Sequence, residues 1–117
     1  DEECAAALRE CLEHYFPDRK RVALVGVLKD KDYKAIAATL APLFDACVCV
    51  TPNSERALPA GELAEFFRGS CREVSIADTV EDGVDLARDI AQEQDAMVCA
   101  FGSLYICGQI RACFGLK

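Results

Sequence analysis

The stretch Val22-Ala23-Leu24-Val25-Gly26-Val27-Leu28 contains no polar side chain. A strand with one wet face alternates apolar and polar residues. A run that is apolar at every position needs cover on both faces, as in a parallel sheet with helices above and below. The strand is expected over Arg21 to Leu28, in the middle of that sheet. The run is far short of the ~20 apolar residues that span a membrane, and no other run in the chain is longer. A chain of 117 residues fits one domain over positions 1–117, and at that length folding hides roughly two-thirds of the surface of the unfolded chain.

The rest of the chain alternates in the way that such a sheet requires. Glu2 to Tyr15 repeats Cys4, Leu8, Cys11, Leu12 and Tyr15 at helical spacing, and Pro17 ends it. Lys31 to Leu43 is helical through Ile36, Ala37, Leu40 and Leu43, and Ala46 to Val50 is a second short apolar strand. The turn formers Thr51 to Arg56 precede a helix that starts at Pro59, runs through Leu63, Phe66 and Phe67, and stops at Gly69-Ser70. Glu73 to Ile76 is a brief strand. Asp78 and Glu81 have the spacing of a capping box for a helix carrying Val80, Val84, Ala87 and Ile90, which Gly83 weakens slightly. Asp95 to Phe101 is the last strand, and Gly102-Ser103 turns it into a final helix with Leu104, Ile106, Ile110 and Phe114. Strands alternating with helices predict an α/β fold: a three-layer sandwich around a mostly parallel, Rossmann-like sheet with right-handed crossovers.

Composition removes several function classes. A net charge of -7 opposes binding to nucleic acid, which needs clustered Lys and Arg to release counterions from phosphates. The first ten positions hold Asp1, Glu2, Glu3, Arg9 and Glu10, so no secretory leader is expected there. A cytoplasmic location with no membrane attachment follows as the expectation. The eight cysteines, at positions 4, 11, 47, 49, 71, 99, 107 and 113, form no CxxC pair, and His14 is the one histidine. Most lie in apolar or Ala-rich segments, where a reduced thiol acts as a small hydrophobe rather than as a metal ligand or disulfide partner. His14, near the end of the first helix, is explained by the helix dipole or by solvation.

In open α/β sheets ligands bind beyond the carboxyl ends of the strands. That rule singles out Gly26 to Asp32 and Gly102-Ser103. Lys29-Asp30-Lys31-Asp32 places four charges where a strand becomes a helix. Asp30 as the helix cap and Asp32 as a complement to the dipole account for the carboxylates. A lysine there also serves as a point charge for a carboxylate or phosphate. Ser103 is equally an N-cap and a donor to an anion at a helix start. Arg56 is a lone loop cation able to fork onto a carboxylate. The chain has no GxxxxGK[ST], GxGxxG, HExxH or GxSxG. A phosphate-loop or nucleophilic engine is therefore not encoded in these residues.

Taken in order, Gly26-Val27-Leu28-Lys29-Asp30-Lys31-Asp32, Arg56-Ala57-Leu58-Pro59-Ala60 within Thr51 to Ala60, and Phe101-Gly102-Ser103-Leu104-Tyr105 resemble three loops of one family. It is the C-terminal domain of folylpolyglutamate synthases and dihydrofolate synthases, members of the Mur ligase superfamily. The resemblance covers nearly the whole chain with matching spacing. It implies the substrate-binding C-terminal domain of an ATP-dependent carboxylate-amine ligase that adds glutamate to folate through an acyl phosphate. By the same resemblance Lys31, Arg56 and Ser103 would face the incoming glutamate, while Asp30, Asp32 and Gly102 would shape the loops. No catalytic residue or metal ligand is implied within the chain. ATP and Mg2+ would be held mainly by an N-terminal ATP-binding domain outside these residues, and the fragment alone would be inactive.

The family's DGAHNP-like segment precedes the first helix, so Asp1 takes no nucleotide role, and Asn53-Ser54-Glu55 stands where a proline is common before the arginine. Two other readings remain open at this point. One is a small-ligand-binding or regulatory α/β domain without chemistry of its own, and the other is the same domain of a cell-wall ligase.

Overall fold

A computed structural model of the protein describes residues 2–102. The elements are α1 (Glu2–Tyr15), β1 (Arg21–Gly26), α2 (Tyr33–Leu40), β2 (Ala46–Val50), α3 (Ala60–Glu65), β3 (Glu73–Ala77), α4 (Val80–Gln94) and β4 (Met97–Gly102). All four strands are parallel in the order β3-β2-β1-β4. The helix expected after Gly102-Ser103 lies outside the described residues.

Every residue of β1 and β2 is buried, as the unbroken apolar run requires. The two faces divide with the period of two that a pleated strand imposes. Ala23, Val25, Cys47 and Cys49 point to the layer holding α1, α2 and α3, where Leu12, Leu40, Leu63 and Phe67 fill the core. Val22, Leu24, Ala46, Val48 and Val50 point to α4, meeting Val80, Val84, Ala87 and Ile90. Helices thus cover both sides of the sheet. Among the described residues no helix is long and apolar enough to cross a membrane.

Several local expectations shift. β1 ends at Gly26 rather than Leu28, because Leu28 leaves the sheet to pair antiparallel with Ala57. The helix expected over 31–43 is α2 followed by a 3-10 turn at Ala41–Leu43. Pro42 has no amide to donate to the preceding turn, so the helix tightens there and ends. Helix α3 is short, and turns over 66–70 carry the chain onward. The cap of α4 is Thr79, whose hydroxyl accepts the Asp82 amide at 3.1 Å. The capping pattern therefore reads one residue later than Asp78 and Glu81. Asp95 belongs to the helix end and not to β4. It adopts the left-handed conformation (φ 52°, ψ 51°) in which its amide reaches the Ala91 carbonyl, and a short polar side chain tolerates that geometry.

Gly83 does more than weaken α4 slightly. It is buried where α4 crosses β2, and a Cβ at this position would overlap Val50 Cγ1 and lie 3.2 Å from Leu24 Cδ1. The helix approaches the sheet this closely only because the residue has no side chain. Gly83→Ala gains helix propensity but forces the two layers apart in a core packed to crystal density. We expect a net loss of about 1–2 kcal/mol, read as a lower urea midpoint. An unchanged midpoint would show that the layers separate freely.

The thiols of Cys47, Cys49 and Cys71 are free and buried, as their apolar setting predicts. Burial pushes the Cys49 thiol up to about 12, which keeps it neutral and apolar at physiological pH.

Candidate functional site

The strand order reverses direction once. From β1 the chain moves through β2 to β3 on one side, then returns through α4 to place β4 on the other side of β1. In open parallel sheets a reversal of this kind marks the crevice in which ligands bind, which here falls at the carboxyl ends of β1 and β4. Gly26 and Gly102 are paired at its floor. Gly102 has φ 126°, and a Cβ there would overlap the Gly26 carbonyl oxygen. Only glycine fits both the conformation and the space. Ser103, the next residue, lies outside the described residues.

The loop leaving β1 is clipped to the loop leaving β2. The Lys29 amide donates to the Arg56 carbonyl at 2.7 Å, and the Leu58 amide donates to the Val27 carbonyl at 2.9 Å. Two further bonds hold the second loop in shape: Thr51 Oγ1 accepts the Ala60 amide at 2.9 Å, and Ser54 Oγ accepts the Arg56 amide at 3.2 Å. Thr51 and Ser54 were not singled out from the sequence. The signal available for Ser54 was its spacing, since a hydroxyl two residues before the amide that it caps is a common turn device.

Within this clip the charges sort themselves. Arg56 Nη2 lies 3.0 Å from Asp30 Oδ2, with the two side chains 65% and 60% exposed. At that exposure the pair contributes at most about 1 kcal/mol, so it orients Arg56 more than it stabilises the fold. Asp30 is therefore not the cap of α2. Asp32 is: its Oδ1 accepts the Ala35 amide at 3.3 Å, because the turn at 28–31 carries the chain two residues past Asp30 before the helix begins. Both carboxylates are thus engaged. Lys29 and Lys31 are exposed and make no ion pair among the described residues. The two loops together hold Lys29, Lys31 and Arg56 against Asp30, Asp32 and Glu55, so they carry no net charge, but the two lysine ammonium groups are not held in an ion pair among the described residues.

The other end of the same edge is acidic. A hollow of about 360 Å³ lies between the ends of β2 and β3, with Thr51, Asn53, Asp78, Thr79 and Glu81 in its lining. Asp78 and Glu81 repel a carboxylate there, so an anionic ligand is favoured at the β1 and β4 end. Beside the start of α2, Tyr33 packs edge-on against Phe66 at 5.4 Å, and Lys34 Nζ sits 5.8 Å from the Phe66 ring centre. No three His, Cys, Asp or Glu side chains converge as a metal site among the described residues.

Residues 2–104 match the family model of the Mur ligase glutamate ligase domain. The chain belongs to that family. This glutamate ligase domain is 35% identical to the dihydrofolate synthase/folylpolyglutamate synthase of Mycobacterium tuberculosis, over 95% of its own length and 26% of the relative's. It superposes on a crystal structure of the Mycobacterium tuberculosis folylpolyglutamate synthase complexed with ADP and AMPPCP with a TM-score of 0.91. There the identity is 30%, over all of this chain and 28% of that one. A bifunctional folylpolyglutamate synthase/dihydrofolate synthase with Mn, AMPPNP and L-glutamate bound matches with a TM-score of 0.74 and 28% identity, over 99% of this chain and 27% of that one. The chain spans about a quarter of the length of these relatives. The parallel four-stranded sheet is thus the fold that this domain shares with those synthases.

Proposed function

We propose that this chain is the glutamate-binding C-terminal domain of an ATP-dependent folylpolyglutamate synthase, which joins glutamate to a folate carboxyl through an acyl phosphate. The observation that carries this reading is the pairing of the family match over residues 2–104 with two clipped loops that bring Lys29, Lys31 and Arg56 to the carboxyl end of β1. Glutamate arrives as an anion. Lys31 supplies a point charge for one carboxylate, Arg56 lies beside it in the orientation that Asp30 holds, and Ser103 adds a hydroxyl where β4 ends. Asp32 and Gly102 set the backbone that carries these groups.

In this reading ATP and its Mg2+ are held mainly by the N-terminal part of the full-length enzyme; the sequence itself has no GxxxxGK[ST] phosphate loop. The role of this domain in the reaction is to bind the amino acid, bring its amine to the activated carboxyl, and exclude water when the domains close. The enzyme is cytoplasmic in this reading, with folate and glutamate as its substrates.

The test uses the full-length protein that contains this chain, assayed for ADP release that depends on both folate and glutamate. Lys31→Ala should raise the KM for glutamate about 10- to 30-fold, the size expected for one charge-assisted contact of about 1.4–2 kcal/mol. Its kcat should stay within a few-fold, and Lys29→Ala should have much less effect. An unchanged glutamate KM in Lys31→Ala would sink the assignment of that residue. ADP release with UDP-muramoyl substrates but not with folate would move the protein to the cell-wall branch, and no glutamate-dependent turnover at all would favour a domain that only binds or regulates.

A further inference from the structure

The carboxyl edge of the sheet does not account for one pair of nucleophiles near its opposite edge. Cys47, early in β2, and Cys71, two residues before β3, place their sulfurs 3.0 Å apart. The Cys47 thiol donates to Cys71 Sγ, which also lies 3.5 Å from the Phe44 and Glu73 carbonyl oxygens. Cys47 is fully buried and Cys71 is 4% exposed. The gap is about 1 Å longer than an S–S bond, so side-chain adjustment is enough to close it. The segment between the two cysteines contains both the Thr51 to Pro59 loop and α3. A bond at this point would join the two ends of the stretch that presents Arg56.

We propose that Cys47 and Cys71 are a latent dithiol that a hydroperoxide converts to a disulfide, stapling the base of the segment that carries the clip. The Cys71 sulfur attacks one peroxide oxygen, the O–O bond breaks, and water or an alcohol leaves with the thiol proton. The sulfenic acid so formed on Cys71 is then attacked by the Cys47 sulfur. The S–S bond forms, the S–O bond breaks, and hydroxide departs with the Cys47 proton as a second water. Two thiols lose two electrons in all, and the peroxide gains them. A hydroperoxide suits the site because it is small enough to reach Cys71 through local opening of the turns at 66–72. The hydrogen bond from Cys47 lowers the Cys71 thiol, while that same bond and then burial raise Cys47. Cys71 is accordingly the attacking sulfur.

The test is a site-resolved one, since Cys11 is exposed and will also react. The full chain is treated with stoichiometric hydrogen peroxide, unfolded in an alkylating agent at low pH, and digested with trypsin. Cleavage after Lys34, Arg56, Arg68 and Arg72 separates the two cysteines, and Cys49→Ala makes the assignment to Cys47 unambiguous. We expect a peptide pair joined through Cys47 and Cys71 with two hydrogens lost. We also expect a rise in Tm on the order of 10 °C, from closing a loop of this length in the unfolded chain. Dithiothreitol should reverse both effects, and Cys71→Ser should abolish both. Recovery of Cys47 and Cys71 as separately alkylated thiols while Cys11 is oxidised would overturn the pairing, as would a Cys71 that stops at the sulfinic acid. A crosslink without a rise in Tm would overturn the staple. The peptide map of the unsubstituted chain decides the pairing even if Cys71→Ser does not fold.

Discussion

Gly102→Ala should lower stability by about 3–5 kcal/mol and shift the urea midpoint accordingly. Two penalties add at this position. A φ of 126° lies where residues with a Cβ are scarcely found, and the strain costs on the order of 1–3 kcal/mol. The added Cβ also overlaps the carbonyl oxygen of Gly26, which belongs to the ladder between β1 and β4 and cannot move without loosening it. Under the proposed function the same backbone would carry the glutamate-binding groups, so on that reading the variant should also weaken glutamate binding in the full-length enzyme beyond what the lost stability explains. Gly61→Ala is the control. Gly61 lies in α3 with nothing within 4 Å of an added Cβ, so that change should be neutral or gain a few tenths of a kcal/mol. Equal midpoints for Gly102→Ala and the unsubstituted chain would show that the close approach of Gly26 and Gly102 is not needed.

Arg21→Met should cost about 1–2 kcal/mol, although among the described residues Arg21 makes no ion pair. Its guanidinium donates to the Phe16 carbonyl at 2.7 Å, to the Leu43 carbonyl at 3.0 Å and to the Leu12 carbonyl at 3.3 Å. One planar fork therefore ties off the end of α1 and the end of the 3-10 turn, which are both rich in unpaired carbonyls. Replacing a buried ion by an apolar residue is sometimes harmless, because the desolvation cost of the charge disappears with it. Here the acceptors are main-chain groups that remain after the substitution. The Leu12 and Phe16 carbonyls keep a second donor, the Phe16 amide at 3.0 Å and the Arg19 amide at 3.4 Å, so the loss falls chiefly on the Leu43 carbonyl, and one acceptor left unpaired costs about 1–3 kcal/mol. The saving includes Arg21 Nε, which is buried without a partner among the described residues, so the net loss lies toward the low end of that range. Arg21→Lys should recover less than half of it, since a single ammonium does not span three carbonyls in different directions. The check is a denaturation series on the three proteins, and Arg21→Met matching the unsubstituted midpoint would refute the staple.

The features legible in the sequence were those that the local chain dictates. The Val22 to Leu28 run required cover on both faces. The alternation of strands and helices required a parallel sheet, and the sheet placed Lys31, Arg56 and Gly102 at one edge. Pairings between distant residues were not legible. The sequence favoured Asp30 as the cap of α2 and Asp32 as a complement to its dipole, but the turn at 28–31 put Asp32 at the boundary and released Asp30 to Arg56, 26 residues away. Gly83 looked like a weak helix position because its role depends on Val50, on another element. Arg21 looked like an ordinary strand start because its partners are carbonyls, which every residue carries and which no sequence pattern marks.

By itself the sequence determined the α/β class, the central position of β1, the reduced and buried state of the cysteines at 47, 49 and 71, and the family resemblance. Burial and backbone periodicity act on neighbours along the chain, so those properties are written locally. Only the tertiary structure decided that the β2 loop clips onto the β1 loop and that Gly102 lies against Gly26. It also decided that Asp30 pairs with Arg56 and Asp32 caps α2, which leaves the Lys29 and Lys31 ammonium groups outside the ion pairs of the described residues. These depend on distances between segments brought together by the order β3-β2-β1-β4, and such distances exist only once the sheet has formed.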